Sequence, residues 1–116
     1  MKRLTIAAAA AALFAVPALA QQGANHAAMA KQDYMKSMQD MHQAMMKADD
    51  RDPDRAFALK MIEHHRGGVA MSQVVLKHGD DPEIKRMAQK TMEMQQKEIG
   101  ELQSWLDRHG GRAPRP

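Results

Sequence analysis

The sequence predicts an all-α fold, an up-down antiparallel three-helix bundle. No segment alternates apolar and polar residues with a period of two, so no strand is expected. Two Asp-Pro pairs, Asp52-Pro53 and Asp81-Pro82, each open a long run of helix formers. In the first of those runs, Phe57, Met61, His64, Gly68, Met71, Val75 and His78 follow a 4-3-4-3-4-3 spacing, an a/d seam.

Each segment has its own signal. Residues 1–20 read as a secretory signal peptide. Lys2 and Arg3 form a basic start, Leu4 to Val16 is apolar, and Pro17 precedes Ala18-Leu19-Ala20. Cleavage is expected after Ala20. The apolar run is shorter than the ~20 residues of a spanning helix, so no membrane anchor is expected once the signal is gone. Residues 21–26 are small and polar without periodicity and are expected to be a disordered lead. Helix one is predicted over 27–48, a stretch without Gly or Pro. Asp52 is a good N-cap, and Pro53 suits the first helical position, so helix two is predicted over 53–78 with Gly79 closing it. Asp81-Pro82-Glu83 repeats the start signal, and helix three is predicted over 82–109, ended by Gly110-Gly111. Residues 110–116 are expected to be a mobile tail.

Helix two carries a second stripe, Ala58, Ile62, His65, Val69, Ser72 and Leu76. Two stripes imply two neighbours, hence a central position. So short a mature chain is compatible with dimerisation to complete a larger bundle but does not demand it.

Composition removes several functions. The 116 residues hold no Cys, which excludes disulfides, thiol nucleophiles and zinc-finger sites. Aromatic residues are 3%, and the net charge of +3 falls to +1 without the signal. Neither supports nucleic-acid binding. There is no HExxH, no nucleophile elbow and no repeated Glu-x-x-His of the di-iron type, so no catalytic residues are assigned.

Four features stand out from an ordinary core. Beyond Ala20 there are 11 Met against 10 Leu, Ile and Val together. Met specifies packing weakly. The stripe is a loose core, an adaptable groove, or a set of thioether ligands, which favour Cu(I) and Ag(I). Met61, His64 and His65 stand at i, i+3 and i+4 and project from one turn. Gln95 and Glu98 fall on the inward arc of helix three, where a buried carboxylate needs an ion pair, a metal, or a histidine to orient. Gly67-Gly68 interrupts helix two, for close packing or for a local bulge beside the histidines.

Plain up-down turns set the register. His64 then lies level with position 37 of helix one and 96 of helix three, Met61 with position 40, and His65 with Gln95. Met38, Met41, Met61, His64, His65, Gln95 and Glu98 share one layer. His42 and Met45 share one side of helix one with Met38 and Met41, and Met71 lies on the a/d seam with Met61 and His64.

The pattern Asp54-x-x-Phe57-x-x-x-Met61-Ile62-x-His64-His65-x-x-x-Val69-x-Met71 resembles the signature of the bacterial family known as domain of unknown function 305. Glu83-Ile84-x-x-Met87-Ala88, Gln95-x-x-Glu98-Ile99 and Trp105-Leu106 resemble its second block. The match covers about residues 53–106. The resemblance implies a ferritin-like helical bundle. Some secreted members, the CopM-like proteins, are implicated in copper binding and tolerance. It thereby implies Met61, His64, His65 and Met71 as site residues, with Gln95 and Glu98 near. Glu63 stands where the family commonly has Pro. Arg66-Gly67-Gly68 stands where it often has Gln-Gly-Ala.

The expected function is an exported, periplasmic or secreted copper-binding protein that sequesters or traffics Cu(I), with Ag(I) and Cu(II) as further ions. Its expected metal residues are Met61, His64, His65, Met71, Met38, Met41, His42 and Met45, with Gln95 and Glu98 as ligands or supports. Expected partners are the metal ion, a second copy of the chain and a copper-delivery protein. The alternative is a metal-free, Met-rich periplasmic stress or interaction module.

Overall fold

The computed structural model describes residues 15–111. The first fourteen residues of the expected signal peptide and residues 112–116 of the expected tail lie outside the described residues. Three helices follow in order: α1 Ala15–Lys47, α2 Pro53–His78 and α3 Pro82–Arg108. There is no strand among the described residues. The all-α, three-helix architecture is as the sequence predicts.

The starts of α2 and α3 follow from their caps. Asp52 Oδ1 accepts the Asp54 and Arg55 N–H groups at 2.9 and 3.4 Å. Asp81 Oδ1 accepts those of Glu83 and Ile84 at 2.8 and 2.9 Å. Each cap satisfies amides that the first turn leaves without an acceptor.

Two boundaries differ from expectation. The expected disordered lead, 21–26, is helical and belongs to α1. Gln21, Gln22 and Ala24 are good helix formers, and one Gly23 is too small a penalty to stop a helix propagating through the stretch. At the other end, Gly110 and Gly111 are held. Both take positive φ, 96° and 71°, and the Gly111 N–H closes on Leu106 O at 2.8 Å. The Arg55 guanidinium also clamps this end, donating from Nη1 to His109 O and from Nη2 to Gly111 O at 2.7 Å.

The bundle is laid out as one layer. α2 packs against α1 on one flank and α3 on the other, and α1 and α3 do not touch among the described residues. The thinnest dimension is 17 Å. The core lies in the α2–α3 seam, where Ala58, Ile62 and Leu106 are buried, with Leu59, Ile99, Leu102 and Trp105 packed on them. The α2 stripe containing Ala58, Ile62 and His65 therefore faces α3. Of the a/d stripe only the last member, His78, faces α1. That flank is built from Lys60, Gly67 and Val74 instead, because Gly67 admits α1 to close range. A Cβ there would lie 2.7 Å from Met41 Cβ. The stripe of Phe57, Met61, His64, Met71 and Val75 falls between the two flanks, on one open face of the layer. Phe57 is 61% exposed.

Candidate metal centre

The site is built on the third turn of α2. His65 turns toward α3, where its Nε2 donates to Glu98 Oε2 at 2.6 Å. A carboxylate on one ring nitrogen fixes the neutral tautomer and leaves Nδ1 with its lone pair. That Nδ1 is buried without a partner, and so is His64 Nδ1. The two rings are 5.9 Å apart and tilted by 60°. Gln95 lies against Gly68, where a Cβ would come within 2.6 Å of its Nε2, and its Oε1 is the third buried atom without a partner. These three are all the side-chain nitrogens and oxygens so placed among the described residues.

Gly67 and Gly68 admit a neighbour each, Met41 of α1 and Gln95 of α3. The helix runs through both without a bulge. Close packing, not a local opening, is their role.

The register against α3 agrees with expectation to within a turn, since His65 meets Glu98 and Gly68 meets Gln95. The register against α1 does not. Gly67 meets Met41, and Lys77 meets Asp33 at 3.0 Å. α1 is therefore displaced by about two turns from its expected height, roughly 10 Å. The 48–52 connection spans the displacement, running on from the end of α1 alongside the first two turns of α2. Lys60 Nζ donates to Ala48 O at 2.6 Å and Met45 O at 3.3 Å, and Arg55 Nε donates to Asp50 Oδ2 at 2.9 Å. The first two turns of α2 thus project past the end of α1.

The expected single layer consequently divides. Met61 and His64 stay on the open face, with Met45 beside their turn. Met38 moves along to the turn of Met71. Met41 occupies the α1–α2 flank, while His65, Gln95 and Glu98 occupy the α2–α3 flank on the other side of the helix. Met41 and His65 are thereby separated by the body of α2. His42 is exposed at the edge of α1, and Met38 is 50% exposed. Among the described residues, no three His, Asp or Glu side chains gather where one ion could touch them all.

The family model described as Domain of unknown function (DUF305) matches residues 5–106. The chain belongs to this family. No curated protein matches it. In this DUF305 chain, Glu63 sits within unbroken α2, and its Oε1 accepts from Arg66 Nη1 at 2.6 Å. No helix among the described residues is long and apolar enough to cross a membrane.

Sequence reasoning passed over one cluster. His78 Nε2 donates to Asp33 Oδ2 at 2.8 Å, and Lys77 Nζ meets the same oxygen at 3.0 Å. These bonds, His78 first, hold the Asp33 carboxyl below its ordinary range. The other nitrogen of His78, Nδ1, stands 3.5 Å from His26 Nδ1. His26 lies in the stretch expected to be disordered. The expected register would already set His78 level with position 23, within a turn of His26, and it is the expectation of a disordered lead that hides the pair.

Proposed function

We propose that this chain is an exported copper-binding protein that sequesters or passes on Cu(I), and by the same softness Ag(I), through imidazole and thioether groups. One observation carries the reading. Among the described residues, all three buried side-chain nitrogens and oxygens without a partner belong to His64, His65 and Gln95, residues that the sequence singled out as ligands or their supports. Each such atom in an ordinary core is unfavourable by about 1–3 kcal/mol. An ion accepted by the imidazole lone pairs removes that penalty. Met61 projects from the same turn, and the register sets Met45 at nearly the same height. Sulfur and imidazole together select a soft ion over Mg(II) or Ca(II). Without Cys, such a site suits an oxidising compartment such as the periplasm. A second copy of the chain and a copper-delivery protein are the partners this reading calls for.

Titration of the purified chain with Cu(I) under a competing chelator tests it. The His64→Ala/His65→Ala double variant and Met61→Leu should each lose about tenfold or more in affinity, on the scale of lost metal ligands and their supports. Unchanged affinity in both overturns the assignment. A metal-free stress or interaction module is the second reading, favoured by the exposure of Met29, Met35, Met46, Met87 and Met94. It requires copper-free protein from copper-fed cells and reversible sulfoxide formation with function retained.

A further inference from the structure

We propose that His26 and His78 form a second metal site, for a divalent ion favoured by imidazole, with Cu(II) the strongest occupant. The two Nδ1 atoms face each other at 3.5 Å across the α1–α2 flank. That is long for a hydrogen bond to nitrogen. It suits a shared ion: nitrogens bound at about 2.0–2.1 Å stand roughly 2.9 Å apart in cis positions of a square-planar ion, roughly 3.3 Å apart at a tetrahedral angle and roughly 4 Å apart in trans positions, values that bracket the spacing seen.

The surrounding groups fit the same role. The His78 side chain is only 4% exposed, and its Nε2 is held by the Asp33 carboxylate. This is the carboxylate–histidine–metal arrangement, in which the acid orients the ring and makes the opposite nitrogen more basic. Lys77 balances the remaining charge of Asp33. The His26 ring stands edge-on to His78 at 5.4 Å and is exposed, which leaves the ion's remaining positions to water. A donor pair of imidazoles follows the divalent series, in which Cu(II) binds most tightly. The site is nearly four turns of α2, roughly 20 Å, away from His64 and His65 and does not depend on the Cu(I) reading.

The test is Cu(II) titration of the full chain, followed by electron paramagnetic resonance. One tightly bound equivalent should show hyperfine splitting from two nitrogens. His26→Ala, a change at an exposed position that leaves packing intact, and His78→Ala should each abolish that splitting and weaken binding at least about tenfold. Asp33→Asn should keep two nitrogens, shift the spectral parameters and weaken binding about 10–100-fold. The His64→Ala/His65→Ala variant should leave the signal unchanged. Retention of the signal in His26→Ala, its loss in His64→Ala/His65→Ala, or the absence of tight Cu(II) binding overturns the proposal.

Discussion

Gly67 and Gly68 are adjacent and chemically identical, yet their environments predict opposite outcomes. An alanine Cβ at position 67 would meet the Met41 side chain along its length, including Cβ at 2.7 Å, where the side chain is anchored to α1. The clash is relieved only by moving the helix. At position 68 the neighbour is the amide end of Gln95, which can rotate away. Alanine also gains about 1 kcal/mol of helix propensity at either position. Gly67→Ala should therefore destabilise by about 1–3 kcal/mol. Gly68→Ala should be neutral or stabilising by up to about 1 kcal/mol. Urea unfolding of both variants checks the pair, and equal effects would contradict the packing described. The paired glycines were visible in the sequence as an anomaly. Which neighbour each one admits was not, because that depends on register.

At the scale of elements, legibility follows the range of the forces involved. The starts of α2 and α3 could be read because an Asp cap and a Pro at the first turn act within four residues. The α3 register was readable because a three-residue connection, 79–81, leaves little freedom. The α1 register was not, because the 48–52 connection is tied back along α2 by Lys60 and Arg55, whose side chains act across the turn. The candidate site divides in the same way. His65, Gln95 and Glu98 lie together as expected, while Met38 and Met41 are carried off by the displacement. Arg55 also joins the start of α2 to the end of α3 through His109 O and Gly111 O. Arg55→Ala should raise hydrogen exchange at the amides of residues 109–111 and leave the middle of α3 protected. Unchanged exchange at those three amides would show that the glycine-ended turn holds itself.

For the whole molecule, the layer is fastened at its flanks by a few ion pairs, and this sets its response to acid. Asp33 and Asp50 both have carboxyls held below the ordinary value of 3.8. For Asp33 the first cause is the bond from His78, then that from Lys77. For Asp50 it is the Asp52 N–H, then Arg55. A folded value below the unfolded one contributes stability that is complete above the ordinary value and is lost as pH falls through the lowered ones. Stability should thus fall on acidification below pH 3.8, and Asp33→Asn should flatten that fall. An unaltered acid limb in Asp33→Asn would show that the α1–α2 bridge contributes nothing.

The sole indole of the chain has a consequence for anyone watching it unfold. Trp105 packs on the α2–α3 core and stacks on the His109 ring at 4.1 Å. Among the described residues, α1 does not touch α3. Intrinsic emission is consequently blind to the departure of the first helix, and a fluorescence melt alone would report an intact protein after a third of its fold had peeled away.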